Sequence, residues 1–290
     1  MKQLTIISGK GGTGKTTIAA AFASLAENAV IADCDVDAAD MHLILNPEII
    51  ETIDFYGLKE AYIDDSLCIQ CGLCKEACRF DAITDNIKVD SFECEGCGVC
   101  AHICPEGAIT LVERKAGEAY LSETRFGPMA HAKLSVGEEA SGKLVAFVRE
   151  KARDLADRYD KELIIIDGPP GTGCSVIASI TGVDMVAVVT EPSVSGIHDL
   201  ERVLSVAGHF NIPAVVCINR YDINEENTRF IEDYCRDNGI DVVGKLPFSR
   251  IPTEAMILEK TVMEYSGNEL SGEFSEKLKD MWEKVMRSLN

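Results

Sequence analysis

Positive charge is scarce in this 290-residue chain: 28 lysines and arginines stand against 48 aspartates and glutamates. A chain this acidic is repelled by nucleic-acid phosphates and anionic membranes unless it gathers a basic patch, and the sequence holds none. No run is long and apolar enough to span a bilayer. The opening stretch MKQLTIISGKGG lacks the charged start and apolar middle of a secretory signal. These absences predict a cytoplasmic protein with no nucleic-acid partner and no membrane partner. A disordered or low-complexity chain is excluded too, because 46% of the residues are hydrophobic. The length suits one large domain, or one domain carrying a small insert.

Cysteine, by contrast, is plentiful. There are twelve, and eight of them lie between Cys68 and Cys104. A cytoplasmic setting argues against disulfides, and the clustering points to metal. Around this block the chain alternates strands and helices. Leu4–Ser8 reads as a strand, Gly9–Thr16 as a glycine loop, Thr16–Glu27 as a helix, and Ala29–Ala32 as a strand ending at Asp33. Helical periodicity breaks down near Ala61. After 113–140, a linker with room for a hairpin, come a helix over Leu144–Tyr159 and an apolar strand Leu163–Ile166 ending at Asp167. Strands follow at Met185–Thr190, Ala214–Asn219 and Asp241–Leu246, with helices over 197–209 and 225–237. This order predicts an α/β fold, a mostly parallel sheet with helices on both faces, formed by 1–60 and 113–290. Residues 61–112 form an insert with an internal repeat: CIQCGLCKEACRFDAIT from Cys68 matches CEGCGVCAHICPEGAIT from Cys94.

GKGGTGKT fits the pattern G-x-x-x-x-G-K-[ST] between a strand and a helix. Gly9, Gly11, Gly12 and Gly14 let backbone N–H groups turn inward around phosphates, with Thr13 and Thr17 alongside. Lys15 reaches the β- and γ-phosphates, Thr16 ligates Mg²⁺, and the helix start adds its positive end. A glycine turn with no ligand is the plainer alternative. Asp167, at the end of an apolar strand, suits the Mg²⁺ surroundings. The following Gly168–Gly173 resembles a switch loop placed to feel a γ-phosphate. Asp33 and Asp35 close the second strand. One would orient the attacking water and the other support the metal; a solvated acidic turn is the alternative.

Cys68, Cys71, Cys74 and Cys78 have the spacing C-x2-C-x2-C-x3-C, and Cys94, Cys97, Cys100 and Cys104 repeat it. This is the spacing of bacterial ferredoxins, in which the fourth cysteine of each run serves the other cluster. One 4Fe–4S cluster is then expected on Cys68, Cys71, Cys74 and Cys104, and a second on Cys94, Cys97, Cys100 and Cys78. The insert thus resembles a small α+β two-cluster ferredoxin domain. It departs from that pattern at Arg79, where a proline usually follows the fourth cysteine. Zinc, which favours pairs of C-x2–4-C knuckles, fits the triple runs less well. A purely structural cluster is the stronger rival. Of the other cysteines, Cys217 and Cys235 read as small buried hydrophobes, while Cys34 and Cys174 fall near the expected nucleotide.

SGKGGTGKTT, DCDVDAAD and IIIDGPPGTG together resemble the deviant Walker A ATPases, the MinD, Mrp and ParA group of SIMIBI-type P-loop NTPases that includes the nitrogenase iron protein. The resemblance covers nearly all of 1–60 and 140–290. It implies ATP/ADP and Mg²⁺ as ligands and a homodimer with nucleotide at the interface. It implies that Lys10 crosses to the partner's phosphates, and that Asn219, Arg220 and Pro247 lie at the adenine. With the insert, the chain looks like the MinD-superfamily ATPases that carry a ferredoxin domain.

The reading is an ATPase whose dimer cycle, through Lys10, Lys15 and Asp35, gates electron transfer from two clusters to a redox partner. The alternative is an Mrp-like carrier that delivers metal or a cluster to a client protein. Weaker cues read as structure. Ser141–Val145 opens a helix, and Lys143 reads as a solvated first-turn lysine, with contact to a phosphate or a partner as the alternative. His131 is structural or superficial. The stripe Phe274, Leu278, Met281, Val285 and Leu289, with balanced charge between 273 and 287, is expected on the sheet and not on lipid.

Overall fold

A computed structural model of the chain describes residues 1–135, 141–267 and 269–290. The end of the linker expected over 113–140 lies outside the described residues. The chain begins with β1 (Lys2–Ser8), α1 (Lys15–Leu25), β2 (Ala29–Asp33), α2 (Met41–Leu45) and β3 (Glu48–Ile63). Next come α3 (Leu73–Ala77), α4 (Val99–Ile103), β4 (Ile109–Thr124), β5 (Gly127–Leu134) and α5 (Ser141–Arg158). Then follow β6 (Leu163–Pro170), α6 (Cys174–Ile180), β7 (Met185–Thr190), α7 (Val194–His209) and β8 (Ala214–Asn219). The last elements are α8 (Glu225–Asp237), β9 (Asp241–Leu246), α9 (Ile251–Ile257) and α10 (Glu269–Leu289).

The strands form one sheet in the order β3-β4-β5-β2-β6-β1-β7-β8-β9. The run from β5 to β9 is parallel throughout. Its central strands are apolar because helices cover both their faces, as parallel sheets require. On β1, Leu4 and Ile6 join the core shared with α1 and α10. Thr5 points the other way and donates its hydroxyl to Ser179 O of α6 at 3.1 Å. The stripe of α10 is buried in this core as expected, and Trp282 tilts against Phe22 with ring centroids 5.2 Å apart. No helix among the described residues is long and apolar enough to cross a membrane.

The chain divides into two compact units. The first is Met1–Thr52, Ala119–Lys133 and Ser141–Asn290. The second is Ile53–Glu118 with the described part of Leu134–Ala140.

Two elements of the structure differ from the sequence reading, and a third matches it. Residues 48–63, where helical periodicity is expected to persist toward Ala61, are the strand β3. Strand β6 continues beyond Asp167 through Gly168, Pro169 and Pro170, half of the expected switch loop. It does so because Ser8 pairs with Pro170 after an irregularity in β1, and because Gly168 packs on Ile7 and Thr5 too closely for a side chain. The expected hairpin is β4–β5, joined by only Arg125 and Phe126. Arg125 binds both carboxylate oxygens of Glu264 and the carbonyls of Ile44, Leu45 and Glu259.

Candidate functional site

Register in the first unit assembles a site at the carboxyl ends of the strands, where open α/β sheets bind ligands. Asp33 of β2 lies beside Asp167 of β6. Ser8, at the end of β1, hands the chain to the glycine loop next door. Gly14 takes φ 90° as the cap of α1. A side chain there would strike the Asn219 amide, which donates to Thr13 O at 2.7 Å. A residue other than glycine at that place would be strained and crowded at once.

Gly11, Gly12, Thr13, Gly14, Lys15, Thr16, Thr17, Asp35, Asn219, Arg220 and Pro247 line a single cleft of about 340 Å³. Gly9, Asp33 and Asp167 are not in its lining. Gly9 sits against the Asp199 backbone and side chain. Lys15 is buried, with Nζ 2.7 Å from Asp167 Oδ1 and 3.3 Å from Asp35 Oδ2. Burial works against its charge, but Asp167 and Asp35 outweigh burial and raise its pKa. Burial raises Asp33 well above the usual carboxylate range, and the neighbouring Asp167 pushes the same way. Asp35 is raised by burial as well. Asp33 Oδ2, Asp167 Oδ2 and Thr13 Oγ1 are buried without a hydrogen-bond partner. Such atoms are costly unless something satisfies them. Two carboxylate oxygens and a threonine hydroxyl are the hard oxygen donors that suit Mg²⁺.

Lys10 is placed elsewhere. Its amine lies 2.7 Å from Glu191 Oε1 and donates to the Ser193 and Ser195 hydroxyls at 3.1 and 2.9 Å. Glu191 also holds Arg220 at 2.9 Å. Sequence reasoning missed Glu191, Ser193 and Ser195, and it missed the cleft wall at Pro252, Thr253 and Met256. None of them belongs to a motif. Cys34 is buried, with Sγ 4.0 Å from Val145 O, whereas Cys174 is exposed at the start of α6. His131 is buried, with Nε2 2.8 Å from Ser122 Oγ.

In the second unit the two repeats adopt matching turns. Gly72 and Gly98 both take φ 79° and cap α3 and α4. All twelve cysteines of the chain are unpaired with one another. Cys68, Cys71, Cys74 and Cys104 line one small cavity. Cys78, Cys94, Cys97 and Cys100 line another. Each cavity thus takes three thiols from one repeat and a fourth from the other. Backbone N–H groups of Gln70, Ala108 and Ala61 point at the sulfurs of Cys68, Cys104 and Cys94 at 3.4, 3.3 and 3.5 Å. Among the described residues, no group of three or more His, Cys, Asp or Glu side chains is gathered to hold a single metal ion.

The family model of the CobQ/CobB/MinD/ParA nucleotide binding domain matches residues 4–261. The chain belongs to this family. An uncharacterized protein of Methanocaldococcus jannaschii is 33% identical, over 98% of this chain and 96% of that one. Among solved structures, the cell division ATPase MinD of Pyrococcus furiosus matches with a TM-score of 0.58 and 17% identity, over 98% of this chain and 99% of that one. The septum site-determining protein MinD of Pyrococcus horikoshii, complexed with Mg-ADP, matches at 0.58 and 18%, over 98% and 95%. At these identities the solved structures establish the fold, an α/β sandwich around a mostly parallel sheet.

Proposed function

We propose that this member of the MinD/ParA-type nucleotide-binding family is an ATPase whose second unit carries two 4Fe–4S clusters, and that its nucleotide cycle gates electron transfer to a redox partner. The observation that carries the reading is the pair of cavities in the second unit, each ringed by the four cysteines that the swapped ferredoxin pattern assigns to one cluster. A cuboidal cluster binds each thiolate through a different iron, so its ligands stand around a volume. A zinc ion would draw four sulfurs to about 2.3 Å from one centre. The inward N–H groups favour thiolate over thiol. The deviant Walker A pattern of the loop, with Lys10 as its extra lysine, is part of the same proposal.

When bound, Mg-ATP supplies the phosphoryl group for hydrolysis and the clusters supply one-electron chemistry. The backbone of Gly11–Thr16 cradles phosphate, and Lys15 neutralises charge there once it turns from Asp167. Thr16, Asp33 and Asp167 offer oxygen to Mg²⁺, directly or through water, and Asp35 holds the attacking water. Asn219, Arg220 and Pro247 wall the adenine end. Two chains close over nucleotide, with Lys10 reaching across.

Anaerobic iron and sulfide analysis, then an EPR redox titration with and without Mg-ATP, tests this. About eight irons per chain and two reduced signals are expected, since each cluster holds four irons. Their potentials are expected to move when ATP binds. Iron without sulfide, or no iron, overturns the cluster assignment; unmoved potentials overturn the coupling. The carrier alternative needs a labile thiol outside the two rings, and Cys174 is the exposed one. Intact partner reduction with lost client activation in Cys174→Ser would transfer the assignment to carriage.

A further inference from the structure

Glu191 belongs to no motif, yet two cations that the proposed function assigns to nucleotide meet on it. Oε1 takes Lys10, Oε2 takes Arg220, and the Ser193 hydroxyl donates to Oε1 at 3.3 Å. Its side chain is only 16% exposed. Burial alone would raise its pKa, but Lys10 and Arg220 outweigh burial and hold it below the usual carboxylate range.

The backbone beneath it is fixed. Glu191 O accepts from Ser193 N at 2.8 Å. Gly196 packs on that same carbonyl with no room for a side chain. Pro192 follows directly, and its carbonyl accepts from the Asn227 amide at 3.1 Å. The carboxylate therefore cannot travel far with the glycine loop. If Lys10 turns toward phosphate, its pairing with Glu191 must break.

We propose that Glu191 is a positioning residue that restrains nucleotide binding, an internal anion that competes with phosphate for Lys10 while it holds Arg220. This rests on the nucleotide site proposed above. Two cations face one carboxylate at contact distance in a half-buried setting, where charge interactions are several times stronger than in water. A polyphosphate must match that attraction before it gains Lys10. Glu191→Gln keeps the shape and the hydrogen-bond acceptor but removes the charge.

The test is calorimetric titration of the full chain with Mg-ATP, for the wild type, Glu191→Gln, Lys10→Gln and the double variant. Glu191→Gln is expected to bind roughly three- to tenfold tighter, the scale of one lost charge contact. Part of that gain is expected to vanish in the Lys10→Gln background, as coupling requires. Unchanged or weaker binding by Glu191→Gln, at matched thermal unfolding, overturns the inference, and so does a gain undiminished without Lys10. A wild-type chain that binds no ATP overturns the nucleotide reading itself. A wild type that binds while Glu191→Gln shows no gain overturns only the restraint.

Discussion

The two units are held together by different materials. The first packs Leu4, Ile6, Ile31, Ile165, Phe22, Leu278 and their neighbours into a continuous hydrocarbon core between sheet and helices. The second has a small cluster of Ala61, Cys74, Ile83, Ile87 and Ile109, and most of what packs on it is cysteine. A unit that small buries too little hydrocarbon to stand on it alone, and small domains recover the deficit from metals or cross-links. The family nucleotide fold thus has a self-sufficient hydrocarbon scaffold, whereas the proposed clusters would complete the core of the cysteine unit.

Stripping iron anaerobically with a chelator gives the largest contrast. The second unit is expected to lose most of its amide protection and to become the site of limited proteolysis, while the first stays protected. Protection of Ile53–Glu118 surviving iron removal would erase the comparison. Next in size, Lys15→Ala is expected to cut ATP turnover by roughly a hundredfold or more, by removing a charge from the phosphate site. The two EPR signals should persist, and turnover that survived would displace the nucleotide site.

Leu278→Ala sharpens the contrast from the other side. It opens a cavity under α10 and should cost about 2–5 kcal/mol in the denaturant transition of the first unit, without loss of iron. An effect confined to acid pH is the titration of His131. Burial pushes its imidazole down to about 4, and His42 pushes the same way. Because the unfolded chain takes up this proton near 6.5, stability is full above that pH and is lost as pH falls toward 4. The loss is about 3 kcal/mol, since each tenfold change in proton affinity is worth roughly 1.4 kcal/mol. Chemical denaturation of the wild type and His131→Phe across this range should show a shallower slope in the variant. Equal slopes would remove His131 as the source.

Much of this is readable from the chain alone, for physical reasons. Central parallel strands are buried on both faces, so Leu163–Ile166 and Met185–Thr190 stand out as unbroken apolar runs. A phosphate loop needs glycines at fixed places, so GKGGTGKT announces itself. Strand β3 does not, because its exposed residues blur the alternation: Ile49, Ile50, Tyr56 and Tyr62 face solvent. Nor does the extension of β6, since Pro169 and Pro170 read as a loop until Ser8 is seen to pair there. Glu191 is invisible in the sequence because its role depends on Lys10 and Arg220, which are remote from it along the chain and meet it only once β7 lies between β1 and β8. The register of Asp33 beside Asp167 is likewise beyond sequence reasoning, although both residues are marked as strand ends.

Strand order also sets a timetable for synthesis. β1 and β2 each pair with β6 and not with each other. Leu163–Pro170 leaves the ribosome long after both, so the two earliest strands of the sheet must wait without their shared neighbour. Both cysteine rings are complete as soon as Cys104 has emerged. On a growing chain the second unit therefore has all its thiols in place first, and the nucleotide site, begun at residue 9, is among the last features that can close.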